Sequence, residues 1–266
     1  MLSTTRFGGR SETMPFISRL PLDVARPRTR ELLRNPQEMK NEVLGAIDSG
    51  GGKERFLWRV DVEPGNRLAL FAVTERTRPE WGGLWEACGR EEEAARLAVR
   101  DYEPMLDMLE AGQEYAFKLT ASPTYSEPSP RGPGVEPGAE AGAEGEKRQR
   151  GTRRPIKSRG EQMNWLVRRS AGAGFRVGEV ELPSGFLDEE PQKVPDVLLS
   201  GTEVKSFKKA ALAKPGAMST VTIRKVTYTG RLVVEDEKLV RQVLVCGLGS
   251  AKAYGAGLMT LARMSR

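Results

Sequence analysis

The run Gly247-Leu248-Gly249-Ser250-Ala251-Lys252-Ala253-Tyr254-Gly255-Ala256-Gly257-Leu258 sets four glycines around one lysine. Glycine has no Cβ, so such a loop lets backbone N–H groups approach a phosphate chain, with Lys252 placed to contact it directly. Its spacing excludes two nucleotide loops. No Gly-Lys-Ser/Thr follows at the Walker distance. Lys252 also stands where the third glycine of a dinucleotide fingerprint belongs, and a helix is expected before the loop. A second lysine, Lys40, falls inside the apolar arc that Met39, Val43, Leu44 and Ile47 define at 100° per residue. Either its ammonium turns toward a substrate, or its stem covers apolar surface while its head reaches water. The chain holds no histidine, so acid–base chemistry here must run on other groups.

The other cations cluster. Arg26, Arg28, Arg30 and Arg34 follow the first strand. Arg153, Arg154 and Lys157 lie in a dense basic stretch, 147–159, directly after an acidic one. Lys205, Lys208 and Lys209 form a third group. Formal net charge is only +6, from 42 Lys+Arg against 36 Asp+Glu, so placement matters more than total. Such clusters suit a phosphate backbone, which confers affinity and salt dependence rather than sequence reading. Taken singly, each of these residues is equally an ordinary solvated cation. Cys88 and Cys246 make neither a disulfide framework nor a metal-ligand spacing, and no carboxylate motif replaces them, so no metal and no cofactor is expected. Two lone thiols fit a reducing cytoplasm. No apolar run approaches the roughly 18 residues of a membrane span.

These residues need elements to position them. Residues 1–13 read as a disordered extension. Residues 15–22 read as a strand, and a basic loop follows. A helix then starts with Asn35 as cap, Pro36 in the first turn and Glu38 three after the cap. Residues 55–62 and 67–74 form strands joined by Glu63-Pro64-Gly65-Asn66. Residues 81–88 form a short helix and 113–121 a strand, with an insertion near 89–112. The first domain is thus 14–121. Residues 122–148, rich in Pro, Gly, Ala and Glu, cannot bury enough apolar surface to order themselves and read as a flexible acidic linker. The second domain, 149–266, begins with a helix over 161–170, with Met163, Leu166 and Val167 on one face. A strand over 175–182 and a strand with a basic run over 194–209 follow. A long strand over 220–234 is expected to bulge near Arg224-Lys225. The helix over 236–246, the glycine loop and a strand over 257–263 close it. The fold class is α+β, two tandem βαββαβ units of ferredoxin-like (RRM-like) type.

In order along the chain, four segments resemble the CasE family of CRISPR repeat-RNA endoribonucleases from type I-E systems. They are the first strand running into Asn35-Pro36-Gln37-Glu38-Met39, then Phe56-Leu57-Trp58-Arg59, then Glu161-Gln162-Met163-Asn164-Trp165-Leu166, and Tyr228 to Leu258 with its glycine loop. The resemblance implies two ferredoxin-like domains. It implies a partner, the stem-loop of precursor and mature CRISPR RNA, cut at the stem base without metal by 2′-hydroxyl attack, and a place among the Cascade subunits. It carries RNA binding to Arg28, Arg30, Arg153, Arg154, Lys157, Lys205, Lys208, Lys209, Lys252 and Gly247, Gly249, Gly255 and Gly257. Where the family places a tyrosine and then a histidine on the first helix, this chain has Gln37 and Lys40. Lys40 is therefore the candidate catalytic residue, suited to stabilise charge on the phosphate or protonate the leaving 5′ oxygen. It serves as a general base only if burial or neighbouring cations deprotonate it. The alternative is a hairpin-binding subunit that no longer cuts.

Overall fold

The computed structural model describes residues 14–47, 54–127, 152–182, 192–210 and 218–264. In the first unit β1 (Phe16–Leu22) leads into α1 (Pro27–Arg34) and α2 (Pro36–Gly45). The hairpin β2 (Phe56–Glu63) and β3 (Arg67–Thr74) follows, then α3 (Gly82–Cys88), β4 (Ala98–Asp101) and the single turn α4 (Glu103–Leu106). The strands pair antiparallel in the order β2-β3-β1-β4. Strand alternation sends Leu20, Leu22, Trp58, Leu70 and Ala72 to one face, where Leu32, Met39, Val43, Leu84 and Cys88 of the helices cover them.

The second unit starts with β5 (Glu114–Ala121), followed by the ribbon β6 (Thr124–Glu127) and β7 (Thr152–Pro155). Then come α5 (Arg159–Ala171), β8 (Phe175–Val177), β9 (Glu179–Leu182), β10 (Gln192–Pro195), β11 (Val197–Ala210), β12 (Met218–Val234), α6 (Glu237–Cys246) and β13 (Met259–Arg263). Its sheet runs β11-β12-β5-β13, with β8 also on β12. In each sheet the strand order is second, third, first, fourth, so the chain is two ferredoxin-like units. Leu57 and Val73 of the first unit join the core built by Phe117, Leu119, Trp165, Tyr228 and Leu244 of the second.

Several expectations are corrected. Residues 114–121, read as the last strand of the first domain, lie at the heart of the second sheet, hydrogen-bonded on one edge to β12 and on the other to β13. Their inward Tyr115, Phe117, Leu119 and Ala121 pack in the core with Trp165, Phe175, Tyr228 and Leu244 of the second unit. The fourth strand of the first sheet comes from the supposed insertion, as the short β4 pairing with β1. The basic stretch after β1 is the helix α1, not a loop. The start of the expected linker pairs as β6 with β7; residues 128–151, like 1–13, lie outside the described residues. Residues 175–182 split at Gly178 into β8 and β9. The bulge is on β11 at Gly201, between Ser200 and Thr202, while β12 runs through Arg224 and Lys225. Leu44 and Val167 are exposed rather than inward, and Gln162 and Trp165 take the buried positions on α5.

Candidate functional site

Helix α2 starts where Asn35 accepts from the Gln37 N–H and its own Nδ2 donates to Glu38 Oε1, a reciprocal cap. Met39 and Val43 are buried. Lys40 sits at the edge of that stripe, half-buried, and shares a flank with Gln37 one turn earlier. Above this flank lies Tyr254, whose hydroxyl donates to Gln37 Oε1 at 3.4 Å and whose ring packs on Phe207 at 4.9 Å. Arg28, by contrast, is bound to Glu31, Glu38 and Glu42. Those bonds, to Glu42 first, hold its guanidinium above its usual range. Its charge is neutralised within the chain, and the carboxylates nearest Lys40 on α2 are occupied. Arg30 donates to the carbonyls of Val24 and Ala25 and braces the turn before α1.

The glycine loop is closed against the first unit. Gly247, Gly249, Gly255 and Gly257 all have positive φ. A Cβ at Gly255 would come within 2.7 Å of the Trp58 ring, and one at Gly247 within 2.6 Å of Leu57. The Trp58 indole N–H donates to Ala253 O at 3.0 Å, and Gly257 N–H donates to Thr120 O. The bare backbone thus serves the approach of loop to strand at these positions. Lys252 turns inward, its Nζ donating to Cys246 O at 2.7 Å at the open end of α6. Burial, helped by Arg55, depresses its pKa below that of an ordinary lysine.

Between α2 and the long arm β11–β12 lies a cleft of about 300 Å³. Its lining includes Pro36, Met39, Trp58, Glu203, Lys205 and Lys225. Register pairs Glu203 with Lys225 across the arm. Their charged groups meet at 2.7 Å, and Lys205 reaches the other carboxylate oxygen at 3.2 Å. The Lys225 ammonium also lies 5.8 Å from the Trp58 ring centroid. Burial pushes the Glu203 carboxyl up, but Lys225 and Lys205 more than offset it, so its pKa lies below the usual value.

The predicted cations separate by face. Alternation along β11 puts Lys205, Phe207 and Lys209 on the cleft side and Lys208 on the other, exposed. Arg153 and Lys157 are exposed near the ribbon β6–β7, where Arg154 is paired with Glu127. The structure therefore places Lys205 in the cleft, while Lys40 follows the cleft-lining Met39 on α2 and is not itself among the lining residues. It does not bring Arg28, Arg154 or Lys252 there with a free charge. Sequence reasoning missed Lys225, Glu203 and Tyr254 as site residues. Tyr254 lay in plain view in the glycine loop, whereas Lys225 and Glu203 meet only through the strand register.

Among the described residues, no helix is long and apolar enough to cross a membrane. The sequence profile of the family described as CRISPR associated protein matches residues 15–263. The CRISPR-associated endoribonuclease Cse3 of Thermus thermophilus is 26% identical over 249 residues, which cover 93% of this chain and 99% of that protein. A structure of CRISPR endoribonuclease Cse3 bound to 19 nt RNA is 25% identical, with a TM-score of 0.65 over 94% of this chain and 99% of that one. A chain of a CRISPR RNA-guided surveillance complex, 17% identical with a TM-score of 0.51 over 94% of this chain and all of that one, shares the fold.

Proposed function

The chain belongs to the CRISPR-associated protein family, and on that premise we propose that it is an endoribonuclease that binds the repeat stem-loop of precursor CRISPR RNA and cuts at its base. The 2′-hydroxyl attacks the adjacent phosphorus and loses its proton to water. The 5′ oxygen leaves with a proton from Lys40, giving a cyclic phosphate and a free 5′-hydroxyl, with no metal taking part. The product stays bound, and the protein serves as a Cascade subunit. The observation that carries this reading is the cleft between α2 and the cationic arm β11–β12, lined by Pro36 and Met39 from the one and by Lys205 and Lys225 from the other, with Lys40 next to Met39 on α2. A stem-loop suits it because double-stranded RNA is held mainly through its backbone and shape. Lys40 contributes charge stabilisation, and much of the acceleration comes from aligning the 2′ oxygen with the phosphate. Arg30, Arg153, Lys157, Lys208 and Lys209 hold the backbone.

The absence of histidine favours one second reading, a subunit that holds the guide hairpin without cutting. Single-turnover cleavage of the repeat hairpin in EDTA, with parent and Lys40→Ala proteins and a parallel binding assay, separates the two. Cleavage by the parent, with Lys40→Ala binding but not cutting, is the expected result. Tight binding without cleavage by the parent establishes the holder instead.

A further inference from the structure

The cleft between α2 and the β11–β12 arm contains a carboxylate where a purely backbone-binding surface would be cationic throughout. We propose that this cleft reads one unpaired guanine beside the foot of the RNA stem, with Glu203 accepting from its Watson–Crick edge and Lys205 donating to O6. This deepens the RNA-binding reading above and rests on it. At about 300 Å³ the cleft lies at the lower end of small-ligand pockets, roughly 300–1,000 Å³, the scale of one base rather than a base pair. Pro36, Met39 and Val60 supply apolar lining for a flat ring, and Thr202, Thr227 and the Glu203 group supply polar lining. Unpaired bases in RNA are read in this way, through ring contacts and hydrogen bonds to an exposed edge.

The carboxylate selects among the bases. It offers two oxygens with about four lone-pair sites, so the lysine contacts at 2.7 and 3.2 Å leave room for two more donors. Guanine alone presents two adjacent donors, N1–H and N2–H, next to an acceptor, O6. Adenine and cytosine set one amino donor beside a bare ring nitrogen, which would face the carboxylate lone pairs. Uracil sets one N–H between two carbonyls. The reader is built before RNA arrives. Lys225, with a side chain only 11% exposed, holds one Glu203 oxygen and is itself placed against Trp58, so little ordering remains to be done on binding. Met39 lines the cleft and Lys40 is its chain neighbour. Their side chains leave α2 about 100° apart, so the seated base belongs to a nucleotide near, not at, the phosphate assigned to Lys40.

The test is equilibrium binding of repeat-hairpin RNAs carrying unpaired nucleotides at the stem foot. Each such position is replaced in turn by guanine, adenine, cytosine, uracil, inosine or an abasic site, with a blunt hairpin for reference. At one position the parent should bind guanine at least about tenfold more tightly than the other three bases, the usual scale of a two-bond base contact. Inosine, lacking the 2-amino group, should fall between. Glu203→Gln should bring all four bases within about twofold and bind the blunt hairpin more tightly, because a negative charge between two lysines is gone. No preference at any position, or a guanine preference that Glu203→Gln leaves intact, overturns the proposal while the hairpin reading stands. Failure of the parent to bind even the blunt hairpin overturns both. Thermal melting of Glu203→Gln verifies that it is folded.

Discussion

Arg59 and Asp61, two residues apart on β2, form a bidentate ion pair, Nε to Oδ1 and Nη2 to Oδ2 both at 2.8 Å, with side chains 3% and 8% exposed. The same guanidinium donates to Lys118 O, Leu258 O and Thr260 Oγ1 of the second unit, and Lys118 Nζ returns to Asp61 at 3.0 Å. A strand of the first unit is thus fastened to β5 and β13 of the second. That junction fixes how α2 and the β11–β12 arm face each other across the cleft.

Arg59→Met should therefore destabilise the protein by about 3–5 kcal/mol, because it leaves a buried carboxylate and two carbonyls without their main donor. Denaturant unfolding measures it. A loss below about 1 kcal/mol would show that Lys118 alone satisfies Asp61.

Gly255→Ala should cost more than Gly65→Ala, although both glycines have nearly the same φ, +77° and +79°. The backbone penalty of about 1–2 kcal/mol is common to both. Only at Gly255 does the added methyl meet the Trp58 ring, at 2.7 Å, with open space at Gly65. The expected gap between the two variants is about 1–3 kcal/mol. Equal melting temperatures would mean that Trp58 yields freely.

The salt dependence of RNA binding should distinguish exposed cations from spent ones. Arg153→Ala or Lys208→Ala should each lower the slope of log K against log salt by about 0.7–0.9. Arg28→Ala should leave the slope nearly unchanged, since Glu31, Glu38 and Glu42 already balance that charge. A full unit lost at Arg28 would show that RNA displaces those carboxylates.

Acid should expose the Glu203 contribution. Its folded pKa lies below the ordinary 4.5, so the stabilisation is complete above that value and is lost as pH falls through the lower, folded one. Between about pH 6 and about pH 3 the melting temperature of the parent should fall faster than that of Glu203→Gln. Parallel curves would mean that the lysine pairs do not favour the folded state.

Much of the fold is local and was legible. Asn35-Pro36 separates α1 from α2 and starts the second helix, and Asp236 ends the run of β12 and starts α6. Glu63-Pro64-Gly65-Asn66 turns β2 into β3. Lys40 was identified on α2 because helical phase is a property of the chain itself. What the sequence by itself determined, then, was the elements with strong caps, turns and periodicity, the two-unit family pattern and the lack of a histidine. Only the tertiary structure decided which sheet receives residues 114–121, because an alternating strand fits either sheet until its two neighbours are known. It also decided the charge state of the site's surroundings. Arg28 and Lys252 read as free cations, yet one is spent on three carboxylates and the other on a helix end. Glu203 and Lys225, twenty-two positions apart, become partners through antiparallel register alone. Pairing energies depend on distance in space, and no local rule of the chain encodes that distance.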